Sequence, residues 1–190
     1  MKHLGLVVVA ALCALPCSVL AHAEDTGSFV RLKSGTSFPQ LNGDVDHFTP
    51  VGLDGIYRLT ENWGVGLHLL YLTGSHSIAH LQGVNLALFN LSKREFLPMA
   101  SGDYFLKLGF ARVSIGVKAG PLFYWDRTTL ASGTPVPDQT NSTVLFAAGP
   151  TLDVDLPIKN AYFANIGFDS MITQTDQAFT SLYVGLGMNL

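Results

Sequence analysis

The last ten residues constrain the chain most. From Ser181 to Leu190 the apolar side chains fall at Leu182, Val184, Leu186, Met188 and Leu190, with Ser181, Tyr183, Gly185, Gly187 and Asn189 between them. A strand sends successive side chains to opposite faces, so this segment has one wholly apolar face and one small or polar face. The alternation runs through to Leu190, and the expectation is a final strand with no loop or tail after it. An amphipathic edge left open in this way invites aggregation unless another strand covers it. The expectation is a sheet closed on itself, with the final strand joined to the first.

The opposite end predicts export. Met1-Lys2-His3 is a short positive region, Leu4 to Leu15 is uncharged and apolar, and Ala21-His22-Ala23 forms a small-residue cleavage site. This pattern reads as a secretory signal peptide over residues 1–23, cleaved after Ala23, ahead of one domain over 24–190. The apolar stretch is short for a spanning helix, which needs about 20 residues. Both cysteines, Cys13 and Cys17, lie in this leader, so the remaining domain has no disulfide, thiol chemistry or thiolate metal site. Loss of Lys2 moves the formal charge from -3 to -4, which argues against nucleic acid as a partner.

After residue 23 no apolar run is long enough for a spanning helix, whereas glycine and phenylalanine are abundant and alternating segments recur. Only helices and closed barrels satisfy all backbone groups within a bilayer. The pattern therefore predicts an all-β fold, an eight-stranded antiparallel transmembrane β-barrel. Strands are expected over 27–38, 49–59, 64–72, 83–91, 113–125, 144–156 and 162–173, and in the final segment. Polar stretches at 38–47, 73–82 and 126–142 read as outer loops, the last being the longest. Residues 92–103 leave two options, a long periplasmic turn or an extra hairpin with 104–110, and the second would make ten strands.

Two motifs carry a family resemblance. Tyr183-x-Gly185-x-x-Met188-x-Leu190 is similar to the C-terminal assembly signal of bacterial outer-membrane barrels, with Leu190 where an aromatic residue is usual. Gly55 to Val65, containing Leu59-Thr60-Glu61-Asn62-Trp63-Gly64, resembles the OmpA/OmpX/OmpW-like small barrels, which commonly join strands through such a turn. The resemblance implies an outer-membrane location and recognition of Tyr183, Gly185, Met188 and Leu190 by the barrel-assembly machinery. It specifies architecture far better than activity. The expected surroundings are outer-membrane lipid and lipopolysaccharide, and the expected state is a monomer.

Alternation turns Arg31, Lys33, Arg58 and Lys118 to the same side as Asp54, Asp153, Asp155 and Asp169. The interior of an eight-stranded barrel is narrow enough for side chains to fill. Charges placed there need partners, so these residues are expected to form a structural network, with a selective pore as the alternative. Asp153 or Asp155 is the expected partner of Lys118, with Gly116 and Gly120 leaving room for its stem.

Other candidates are weaker. His76 and His80 would share a face on a helix and could hold zinc, but their segment reads as loop and lacks a further ligand. The Ser/His pairing there is similar to that of lipid A deacylases, but neither an orienting third group nor the surrounding motif is found. Phe123, Tyr124 and Trp125 fit an interfacial aromatic girdle better than a ligand stack. The expected protein is non-enzymatic, without cofactor or metal, and serves membrane integrity, surface interaction or limited solute passage. The alternatives are a lipid A-modifying barrel enzyme and a soluble, lipocalin-like periplasmic barrel.

Overall fold

The computed structural model describes residues 27–39, 48–82, 85–130, 135–159, 161–175 and 178–190. The expected leader and its cleavage site at Ala23 lie outside them. Eight antiparallel strands form one closed barrel in sequence order. They are β1 (Phe29–Pro39), β2 (Thr49–Arg58), β3 (Trp63–Gln82), β4 (Asn85–Leu108), β5 (Ala111–Leu130), β6 (Pro135–Lys159), β7 (Tyr162–Thr173) and β8 (Ala178–Asn189). Closure is made by β1 and β8, in register from Phe29 opposite Asn189 to Pro39 opposite Phe179. The Leu190 amide adds a bond of 2.8 Å to the Ser28 carbonyl.

Alternation decides which side each residue faces. Leu32, Leu53, Leu67, Ile115, Val117, Ile166, Val184 and Leu186 are exposed on the outside. Exposed Trp63, Phe110 and Tyr162 lie toward the end bearing the short turns, and Phe38, Tyr71 and Trp125 toward the other. An apolar band between two aromatic girdles is the exterior of a transmembrane barrel, with the short turns on the periplasmic side.

The turn after β2 explains the Leu-Thr-Glu-Asn-Trp-Gly motif. The Leu59 and Thr60 amides donate to the Trp63 carbonyl at 2.8 and 3.0 Å. Thr60 Oγ1 accepts from the amides of Asn62 and Trp63, at 3.3 and 3.0 Å. The Asn62 side chain then donates to the Phe105 carbonyl at 3.0 Å, fastening the turn to β4.

Three expected boundaries change. Residues 73–82 continue β3, and residues 126–130 and 135–142 belong to β5 and β6 rather than to a loop. Residues 92–103 are the middle of a single 24-residue β4, so the hairpin and the ten-stranded alternative are excluded. For 73–82, 126–130 and 135–142 the physical reason is that a strand rising beyond the bilayer has no need of an apolar outer face. Its sequence loses the hydrophobic alternation while its backbone keeps the ladder. About 9–11 residues suffice for a tilted spanning strand, so β3 to β6 continue well past the membrane. Pairing of β2 with β3 stops at Thr49 opposite Thr73, and pairing of β6 with β7 at Ala147 opposite Thr173. Beyond these points β3 to β6 stand as one sheet, with β3 and β4 paired as far as Gln82 opposite Asn85.

Leu186 tests the membrane face. It is 64% exposed and lies between Leu32 on β1 and Ala164 on β7. Leu186→Arg is expected to cost about 2–4 kcal/mol near the bilayer midplane. The measurement is the loss of heat-modifiable gel mobility at lower temperature than for wild type. Unchanged resistance to heat would show that this face does not meet lipid.

Candidate functional site

The interior is layered. At the periplasmic end Phe29, Ile56, Phe105 and Phe163 form a buried apolar floor. Phe29 meets Phe105 and Phe163 edge-on, at centroid distances of 5.9 and 5.7 Å. Toward the outer end a larger buried cluster includes Phe48, Leu70, Leu72, Leu97, Met99, Leu122, Met171 and Phe179. The charged residues lie between these two layers.

Asp54 collects three partners. Lys33 Nζ stands 3.1 Å and Arg31 Nε 3.7 Å from its Oδ2, while His68 Nδ1 is 2.8 Å from its Oδ1. Arg31 also reaches Asp153 at 2.9 Å and Asp155 at 3.6 Å. Asp155 receives Arg112 at 2.8 Å and the Asn165 amide at 2.8 Å. Asp169 takes bonds of 2.9 and 3.1 Å from Lys118, and Lys33 lies 3.8 Å away. Arg31 and Lys118 are both 0% exposed. Asp54, Asp153, Asp155 and Asp169 each have at least one cation within 4 Å, and that attraction offsets part of the large cost of removing them from water.

The arrangement departs from the sequence expectation at three points. Lys118 binds Asp169 on β7 rather than Asp153 or Asp155. The strand order makes β6 its neighbour, but a long side chain directed into a narrow barrel reaches across the lumen as readily as along the wall. The glycines beside it serve other groups: a Cβ at Gly116 would strike the Asp103 carboxylate, and one at Gly120 would strike the Pro98 and Met99 backbone. Arg58 stands apart from the ion pairs. It donates to the Glu61 carbonyl at 2.5 Å and lies over the Phe105 ring at 5.8 Å, because the periplasmic turn begins immediately after it.

His68, Ser101, Asp103 and Arg112 also belong to this layer, though the sequence reading did not select them. Asp103 and Ser101 fell in the stretch read as a turn, and Arg112 stands at a strand end. Alternation along β3 was the available signal for His68. Arg112 covers Phe29 and Phe163, with its guanidinium 4.0 and 5.0 Å from their centroids.

Ser101, His68 and Asp54 form a relay. Ser101 Oγ lies 2.7 Å from His68 Nε2, and His68 Nδ1 faces Asp54. The one hydroxyl hydrogen of Ser101 is donated to Asp103, so Ser101 Oγ accepts from His68 Nε2 rather than giving it a proton. Gly66 makes the contact possible, since a Cβ there would collide with both Ser101 Oγ and His68 Nε2. The chain of groups has the order of a Ser-His-Asp nucleophile system, and a nucleophile of that kind requires room for an acyl group. Here His68 is 1% and Ser101 8% exposed, with Ile56 and Phe105 below and Leu70 and Met99 above. The relay joins β2, β3 and β4 through polar contacts inside the barrel.

Other expected sites are placed as follows. Tyr183 is buried beneath Lys33, whose Nζ is 4.4 Å from its ring centroid, whereas Leu190 is exposed on the outer face. Gly185 lies opposite Lys33, and Met188 opposite Val30 and Tyr162. The side chains of His76 and His80 lie outside the described residues. Phe123 and Trp125 stack on the outer face at 6.3 Å, with Tyr124 on the alternate side.

No family model matches the chain, and neither does any curated protein. Solved structures do. Ail, the attachment invasion locus protein of Yersinia pestis, is similar with a TM-score of 0.59 at 12% identity, over 87% of this chain and 99% of that one. Neisserial surface protein A is similar with a TM-score of 0.57 at 9% identity, over 86% and 97%. The chain has the fold of the small eight-stranded outer-membrane β-barrels of the OmpA/OmpX-like kind.

The geometry at Lys118 generates a stability test. Lys118→Met leaves Asp169 with the more distant Lys33 as its nearest cation, and breaking such a buried pair costs about 3–5 kcal/mol. The thermal unfolding midpoint should fall. Adding Asp169→Asn should recover part of the loss, whereas adding Asp153→Asn should recover none. Recovery by Asp153→Asn alone would assign Lys118 the wrong partner.

Proposed function

We propose that this protein is a non-enzymatic barrel of the bacterial outer membrane that acts through the sheet it raises above the bilayer. The observation that carries this reading is the unequal length of the strands. β3 to β6 have 20 to 25 residues, whereas β1, β2, β7 and β8 have 10 to 12. Among the described residues, β3 beyond Thr73 and β6 beyond Ala147 keep β4 and β5 on one side and have no paired strand on the other. Such edges offer unpaired backbone donors and acceptors to an extended segment of another protein. Secretion by way of the 1–23 leader, insertion guided by Tyr183, Gly185, Met188 and Leu190, and life as a monomer among lipopolysaccharide complete the reading.

Solute passage is disfavoured by the two buried apolar layers that flank the ion pairs. Hydrolysis is disfavoured by the same packing, which leaves no acyl site beside Ser101. The relay and ion pairs instead hold the barrel wall rigid beneath the exposed sheet.

The test replaces residues 76–91 with a two-residue turn, keeping Ser75 opposite Ser92. The trimmed barrel should fold with unchanged heat modifiability. Cells displaying the full-length protein should attach to surfaces and to one another, and cells displaying the trimmed form should not. Both forms should be electrically silent in a planar bilayer. Discrete conductance steps whose ion selectivity changes with Lys118→Met would replace this reading with a pore.

A further inference from the structure

The outer wall of β3 to β5 carries a chemically one-sided patch at the upper edge of the apolar band. Its lower part is aromatic. Tyr71 lies opposite Phe96, Phe96 opposite Phe123, and Trp125 stacks on Phe123 at 6.3 Å. Aromatic residues in such a girdle mark the depth of the lipid headgroups. One residue pair farther out the chemistry changes completely. Arg94 stands between Thr73 and Trp125, while Arg127 stands opposite Ser92. Ser142, opposite Trp125 on β6, completes the patch.

Parity places all these side chains outside. Thr73, Arg94, Arg127 and Ser142 are exposed, and Glu95 and Asp126 alternate to the inner side. Among the described residues the patch holds hydrogen-bond donors and no carboxylate. Neither arginine forms an ion pair with a described residue. Because Trp125 is opposite Arg94 and Arg127 lies two residues farther along the same strand, the arginines are diagonal neighbours. Such positions are about 7–8 Å apart, and a rigid sheet holds them there. Two guanidinium forks at this spacing can converge on one phosphate, each giving paired charge-assisted hydrogen bonds.

The geometry points to a binding site for the phosphorylated headgroup of an outer-leaflet glycolipid, with Arg94 and Arg127 on the phosphate, Thr73, Ser92 and Ser142 as further donors, and Tyr71 and Trp125 against the upper acyl region. A lipid is favoured over a soluble polyanion by depth. The arginines adjoin the aromatic girdle on the membrane-facing wall, well below the top of the sheet. The inference rests on the membrane placement of the barrel and not on the proposed role of the sheet, since trimming 76–91 leaves both arginines in place.

The experiment titrates purified, folded barrel in zwitterionic detergent with bisphosphorylated lipid A and with the same lipid after dephosphorylation, counting bound lipid by native mass spectrometry. Wild type should prefer the phosphorylated form. Arg94→Gln and Arg127→Gln should each weaken that binding about tenfold, the effect of losing one charge-assisted contact. Lys107→Gln, an exposed cation near the opposite end, should leave it unchanged. All variants should bind dephosphorylated lipid alike and retain heat-modifiable mobility. Equal wild-type affinity for the two lipids would overturn the proposal without recourse to any variant. So would a double variant that binds phosphorylated lipid like wild type. Displacement of the lipid by a sulfated polysaccharide at comparable concentration would overturn it too, by showing that the patch serves the aqueous side.

Discussion

Everything in this structure depends on the closure of β1 onto β8. In hydrocarbon an unpaired peptide group has no water to turn to, and each one costs several kcal/mol. A sheet can avoid that cost only by having no edge. The continuous register from Phe29–Asn189 to Pro39–Phe179 removes it. Closure also fixes the interior diameter, so the contents of the lumen follow from strand number.

Eight strands leave a space that side chains must fill, and the filling is a sandwich of unlike materials. Apolar floor and ceiling, set by Phe29, Phe105 and Phe163 below and Leu70, Leu97 and Met171 above, bound the layer between from both ends. Low polarity strengthens every ion pair in that layer and raises the cost of any missing partner. Asp54, held by Lys33, Arg31 and His68, is the point at which β1, β2 and β3 are tied together. Lys118 and Asp169 join β5 to β7 across the lumen. These contacts cross the barrel where the backbone ladder only runs around it.

Alternation made much of this legible. It assigned Arg31, Lys33, Asp54, Lys118, Asp153, Asp155 and Asp169 to one side, because a two-residue period needs no knowledge of neighbours. It could not say which cation meets which carboxylate. Lys118 reaches Asp169 because both point inward at a similar depth, a fact that depends on strand stagger and barrel width. Asp103 and Ser101 escaped notice because Pro98, Ser101 and Gly102 look like turn residues in one dimension. In the barrel they belong to a strand whose pairing with β5 skips from Phe96 to Ala100.

The sequence by itself determined a closed, membrane-facing β-fold, since the alternating apolar faces have no other stable environment and the Thr60–Trp63 turn carries its own local hydrogen bonds. Tertiary structure decided where the strands end and what the lumen contains. Beyond the bilayer, selection for an apolar face disappears, and pairing alone tells a long strand from a loop. Inside, residues distant in sequence become partners only when the wall closes. The Ser101–His68–Asp54 relay, built from three strands, is the clearest case: its order suggests reactivity, and the packing around it makes it structural.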